Sequence, residues 1–197
     1  MKKINLIAAL FLTATLSFAQ TKWTFDKAHS EIGFSVTHLI ISEVDGRFDN
    51  FDGSVISTGD SFENAKVEFT AETNSINTAN EQRDNHLKND DFFNAAKYPE
   101  MTFVSKSFKK VKGNKYKLVG DLTIRNITKE VVLDVKHNGT VVDPWGNTKA
   151  GFKVTGEINR FDFGLKWNAL MEAGGAVVGE TVDLEIDIEL TKAKNEA

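Results

Sequence analysis

Between Asn80 and Phe103 the chain gathers Arg83, Asp84, His86, Asp90 and Asp91 beside Phe92 and Phe93. A histidine among carboxylates can act as a general acid or base. With a serine it would make a nucleophilic triad, but no Gly-x-Ser-x-Gly elbow occurs in the chain. Gly-rich phosphate loops and dinucleotide fingerprints are absent too. Arg83, Asp84 and His86 therefore have two readings. The preferred one is a structural network that clips a helix to the rest of the fold. The other is recognition of a polar head group, with Arg83 meeting a phosphate through paired hydrogen bonds and His86 meeting a quinone or amide oxygen. No residue is assigned a catalytic role.

Four histidines, His29, His38, His86 and His137, lie on separate segments without a local metal-binding spacing. A composite site would have to join distant strands, for example His38 and His137 with a carboxylate. No metal or other cofactor is expected. The chain has no cysteine, which rules out disulfides, thiol catalysis and thiolate metal sites.

These residues need a scaffold, and most of the chain alternates with period two. Ile32, Phe34, Val36 and His38 share one face of a segment. Val67, Phe69 and Ala71 do the same, as do Tyr116, Leu118, Gly120, Leu122 and Ile124. Val131, Leu133 and Val135 follow, then Phe152, Val154, Gly156 and Ile158, then Val182, Leu184, Ile186, Ile188 and Leu190. One apolar and one wet face, repeated, is the antiparallel pattern. Asp45-Gly46, Asp52-Gly53, Gly113-Asn114, Asn138-Gly139 and Trp145-Gly146-Asn147 read as hairpin turns. Asn126-Ile127-Thr128 and Asn138-Gly139-Thr140 match glycosylation sequons but read as turn residues. Pro99 and Pro144 fall outside the strand interiors. About eight such strands predict an all-β closed barrel or a sandwich.

The exception is a short helical insertion near residues 78–96. Thr78 with Glu81 three residues on has the spacing of a capping box. Arg83, His86, Leu87 and Asp90 then share a helix face. A second helical turn around Asp91 to Ala96 would set Phe92 and Phe93 against the barrel, and Tyr98-Pro99 returns the chain to a strand.

At the N-terminus, Lys2 and Lys3 precede an apolar run over 4–16 and the small-x-small site Ser17-Phe18-Ala19. This reads as a cleaved secretory signal peptide, residues 1–19, too short to span a bilayer. Residues 20–197 then form one domain in the periplasm or outside the cell. The whole chain carries 24 basic and 28 acidic residues. On that acidic balance, with no basic block, nucleic acid and anionic membranes are expected to be poor partners. No stable membrane insertion is expected.

Several segments carry a resemblance. They are Trp23-x-Phe25-Asp26-x-x-His29-Ser30, Gly46-x-Phe48, Arg83-Asp84-x-His86-Leu87 and Asp91-Phe92-Phe93-Asn94-x-x-Lys97-Tyr98-Pro99. Later come Gly120-Asp121-Leu122-Thr123-Ile124, Asn159-Arg160-x-Asp162-Phe163-Gly164-x-x-x-Asn168 and Gly179-x-x-Val182. In this order they resemble the YceI-like family. The resemblance implies an eight-stranded antiparallel, lipocalin-like β-barrel that holds a polyisoprenoid or similar long-chain amphiphilic lipid. A homodimer and an inner-membrane partner stay open.

On that reading the apolar cavity candidates are Phe34, Val36, Phe69, Phe92, Phe93, Met101 and Phe103, with Leu122, Leu133, Phe152 and Trp167. Gly120 and Gly156 would leave interior space, unless neighbouring phenylalanines fill it. The polar head-group candidates are His38, Arg83, Asp84, His86 and Asn168. The apolar stretch 164–179, with Trp167, Leu170, Met171 and Val178 among Gly174, Gly175 and Gly179, reads either as a flap over a barrel mouth or as a loop pinned to the wall. The rival functions are an enzyme acting on such a lipid through Arg83, Asp84 and His86, and a ligand-free cell-envelope interaction protein.

Overall fold

A face of alternating apolar side chains is hidden best when the sheet curls onto itself, which also removes its edges. A computed structural model describes residues 20–59, 61–169 and 176–194 and shows that closure. The signal-peptide reading, Leu170, Met171, Gly174, Gly175 and the last three residues lie outside the described residues.

The strands are β1 (Gln20–Phe25), β2 (Glu31–His38), β3 (Ser42–Phe48), β4 (Phe51–Thr58), β5 (Ser61–Glu72), β6 (Ile76–Asn77) and β7 (Glu100–Lys112). They continue with β8 (Lys115–Ile124), β9 (Ile127–Val142), β10 (Thr148–Asn159) and β11 (Val178–Lys192). The single α-helix among the described residues is α1 (Glu81–Lys88). β11 pairs with β1 over 190–192 and with β2 over 178–187, so β1 and β2 are halves of one kinked stave. β4 pairs with β1 and β3 with β2, so β3 and β4 form the next. The staves number eight, all antiparallel, and β1 against β11 closes the barrel.

The two ends differ. At one end Trp23 packs on Phe62 with ring centroids 5.1 Å apart, Phe62 meets Phe152 edge-on at 4.8 Å, and His137 stacks on Phe152 at 4.8 Å. Trp23 Nε1 donates to the buried Ser57 Oγ at 3.0 Å, so the indole is both packed and satisfied. This aromatic plug seals the end that carries the β7–β8 and β9–β10 turns. Burial lowers the His137 pKa, with Lys110 adding to the effect. The other end carries the 39–41 turn, the Arg125-Asn126 turn, α1 and the link from β10 to β11.

Three glycine pairs expected in turns lie inside strands instead: Asp45-Gly46 in β3, Asp52-Gly53 in β4 and Asn138-Gly139 in β9. The reason is tertiary. A Cβ on Gly46 would sit 2.3 Å from the Phe34 ring, and one on Gly53 2.7 Å from the Phe25 ring. These glycines make room for aromatic rings crossing from the neighbouring stave. Gly139 (φ +138°) lies beside a bulge in β9, where Gly151 and Phe152 of β10 face Gly139 and His137. One actual turn uses residues with no turn signature, Leu39-Ile40 (φ 52° and 68°), while Arg125-Asn126 (φ 51° and 58°) puts Asn126 in a turn as expected. Gly113-Asn114 and Trp145-Gly146-Asn147 do form turns as expected.

The helix cap moves too. Asn80, not Thr78, caps α1, accepting from the Arg83 N–H at 3.0 Å. Asparagine is as good a cap as threonine, and using it makes Glu81 the first helical residue. The segment after α1 forms hydrogen-bonded turns instead of a second helical turn, yet it does press Phe92 into the core.

Candidate functional site: an apolar cavity with one open end

Above the plug the barrel encloses a cavity of about 210 Å³. Its wall is side-chain carbon almost throughout. Phe25, Phe69, Met101 and Phe103 line one side, and Val154, Leu184, Ile186 and Ile188 the other. Leu118, Leu122, Val131 and Leu133 complete the girth, while Phe34, Val36, Phe92 and Phe93 stand toward the open end with Leu87 of α1. The strand pattern dictates this wall, because the inward positions of the staves around it are mostly apolar.

Nine of the expected cavity residues line it: Phe34, Val36, Phe69, Phe92, Phe93, Met101, Phe103, Leu122 and Leu133. Four do not. Phe152 belongs to the plug. Trp167 stands behind the wall, edge-on to His86 at 5.0 Å and tilted on Phe92 at 5.5 Å. Gly120 and Gly156 leave no space, since a Cβ there would lie 2.4 Å from the Phe103 ring and 2.6 Å from Leu133 Cδ2 respectively. The side chains across each gap fill it, and the cavity lies elsewhere along the axis.

None of the head-group candidates lines the cavity. Asp84 Oδ1 accepts from Thr78 N at 2.8 Å and Thr78 Oγ1 at 2.6 Å. Arg83 donates to Thr78 Oγ1 at 2.8 Å and to the Thr78 carbonyl at 2.7 Å. Arg83 and Asp84 thus spend their bonds on one buried threonine, which fastens α1 to the barrel as a clip. His86 Nε2 lies 3.0 Å from Asp91 and its ring packs on Phe92. His38 ends β2 at the turn into β3. Asn168 brackets Val178, donating to its carbonyl at 2.9 Å and accepting its N–H at 3.2 Å. His38 and His137 sit at opposite ends of the barrel, so the composite metal site they would have formed does not assemble.

The residues that organise the mouth are two arginines the sequence did not single out. Arg125 donates to the Phe92 carbonyl at 2.6 Å, to the Asp90 carbonyl at 2.9 Å and to Gly164 at 3.2 Å, and pairs with the Asp90 carboxylate. Arg160 is only 4% exposed and lies at the cavity wall. Its guanidinium donates to the carbonyls of Leu165, Trp167, Val178 and Gly179 at 2.5–3.2 Å. It so ties both ends of the 164–179 link together, and the described part of that link is pinned to the wall. Burial lowers the Arg160 pKa, but a guanidinium stays charged. The available signal was Arg160 itself, a lone arginine within an aromatic motif.

Asp26, His29 and Glu189 are the one group of potential metal ligands that converges among the described residues. Lys149 already bonds to Asp26 and to Glu189, the latter at 3.2 Å. The Lys149 ammonium, by hydrogen bonding, holds the Asp26 pKa below the usual carboxylate value. Lys149 thus clips both carboxylates together across the kink of the first stave.

A model of the YceI-like domain matches residues 23–190. The chain belongs to the YceI-like family. UPF0312 proteins of Staphylococcus aureus are 42% identical to it over 172 residues, covering 87% of this chain and 98% of theirs. The YCEI protein of Campylobacter jejuni is 37% identical, with 87% of this chain and 98% of that one covered and a TM-score of 0.71. The Burkholderia cenocepacia protein BcnA shares the fold at 21% identity, over 84% and 98% of the chains, with a TM-score of 0.73. A polyisoprenoid binding domain from Saccharophagus degradans shares it at 17% identity, over 87% and 98%, with a TM-score of 0.60. The YceI-like match runs from the plug residue Trp23 to Leu190, so it takes in part of every stave and both walls of the cavity.

Proposed function

We propose that this protein sequesters and carries the hydrocarbon chain of a long-chain amphiphile, of isoprenoid type, in the periplasm or outside the cell. The observation that carries the reading is a cavity closed by an aromatic plug at one end and walled by carbon. Left unfilled, about 210 Å³ forgoes roughly 5 kcal/mol of packing at the cost measured for engineered cavities. That is comparable to the whole stability of a typical domain, so a purely structural barrel gains nothing by keeping it. A polar ligand fits badly, because the wall offers its groups no partners. A flexible apolar chain does fit, with its head group left toward the mouth. The Saccharophagus degradans domain of the same fold, described as polyisoprenoid binding, supports the class of ligand.

Binding by burial makes a quantitative prediction. Each methylene taken from water contributes ~0.8 kcal/mol, about a fourfold gain in affinity. In a homologous series of amphiphiles the affinity should climb by that step per carbon until the cavity is full, then level off. Titration by displacement of a fluorescent fatty chain checks this. An affinity that follows the head group and ignores chain length would remove the proposal.

A further inference from the structure

The closed end of the barrel holds a feature that cargo binding does not use. The 109–117 hairpin carries Lys109, Lys110, Lys112, Lys115 and Lys117 and no acidic residue. Strand register sets Lys109 opposite Lys117, Lys112 opposite Lys115, and Lys115 opposite Lys136. All of these side chains are exposed. Like charges directly opposite one another destabilise a sheet, and three such pairs adjoin here. Lys117 is relieved by Asp134 at 2.8 Å. Lys109, Lys110, Lys112, Lys115 and Lys136 have no carboxylate within 4.0 Å among the described residues. In a chain of net charge −4, this end is locally cationic.

Beside the lysines stands an apolar rim. β9 runs past the end of β8, and the hairpin it makes with β10 projects from the barrel. That projection exposes Val141, Val142 and Trp145, the last of them 82% exposed. Val111 joins them from the lysine hairpin. Asn114 ties the two hairpins together, its carbonyl accepting from His137 N at 2.8 Å and its Nδ2 donating to the His137 carbonyl at 3.0 Å.

We propose that the closed end of the barrel is a docking surface for an anionic lipid bilayer. Lysines meet lipid phosphates while the valines and the indole settle at head-group depth, where an amphipathic ring is at home. Nucleic acid would satisfy the lysines but leave the valines unexplained. Basic residues held near an anionic membrane surface each add affinity, and a short apolar rim keeps the contact reversible. Docking here leaves the mouth facing away from the bilayer, so the surface tethers the carrier and does not load it. The inference is thus independent of the cargo.

Co-sedimentation of the purified protein with phosphatidylcholine vesicles, with and without phosphatidylglycerol, tests it. The protein should bind only the vesicles containing phosphatidylglycerol, and release them at ~1 M salt, where the Debye length is about 3 Å. The triple variant Lys110→Glu, Lys112→Glu, Lys115→Glu should bind on the order of a hundredfold more weakly. Its Tm should hold, because Lys115→Glu makes the pair with Lys136 attractive while positions 112 and 115 stay alike in charge. Trp145→Ser should weaken vesicle binding about tenfold. Equal binding by the triple variant, or no binding by the unmodified protein, would overturn the proposal. So would a preference for duplex DNA over vesicles at equal salt. Lipid content in the barrel should be the same in all variants, which keeps this test separate from that of the cargo.

Discussion

Replacing Arg160 with alanine is expected to destabilise the barrel by roughly 3–5 kcal/mol, the range for removing one partner of a buried charged network. At about 2–4 °C per kcal/mol for a domain of this size, Tm should fall by about 6–20 °C. The guanidinium meets four carbonyls, two on each side of the 164–179 link, and without it those of Leu165, Trp167 and Gly179 lose its donation while Val178 keeps only Asn168. Amides of residues 165–169 and 176–179 should lose hydrogen-exchange protection before the rest of the barrel does. Arg160→Lys should recover little, because an ammonium lacks the planar fork that spans both flanks. Thermal melts and exchange measurements decide the matter. A Tm within about 2 °C of the unmodified protein, with protection intact, would mean that the mouth is held by something else.

The second large effect concerns the cavity. Val154 lines it from β10, while its neighbour Thr155 faces out. Val154→Trp should fill much of the space and cut bound lipid at least tenfold. Adding bulk to a tight core costs about 1–3 kcal/mol, but adding it to a cavity recovers lost contacts. The variant should therefore fold with a Tm near that of the unmodified protein. Thr155→Trp, the same change on the outer face, should keep its lipid. Full lipid retention by Val154→Trp would place the ligand outside the barrel.

How much of this was legible in the residues themselves depended on range. The inward faces of β2, β8 and β11 followed from alternation alone, since period two is a local property of a strand. Turns were less legible. Asp45-Gly46 has turn chemistry, but its glycine answers to the Phe34 ring on the neighbouring stave. Leu39-Ile40 has none, yet it makes the β2–β3 turn. Gly120 failed as a cavity marker for the same reason, because Phe103 occupies its gap. Arg83 and Asp84 bond to Thr78 as a clip would, whereas the capping role expected of Thr78 falls to Asn80. The lysines of 109–117 were visible, but the net acidity of the chain hid them, and only the strand register shows them facing one another.

The central claim is that the barrel interior holds a long apolar chain. Mass spectrometry of an organic extract of the protein, purified without detergent and quantified against protein, tests it most directly. The expected result is a long-chain, isoprenoid-type amphiphile at close to one molecule per barrel, depleted at least tenfold in Val154→Trp and undiminished in Thr155→Trp. An extract free of any long-chain lipid, from protein that also takes none up when long-chain amphiphiles are supplied, would contradict it.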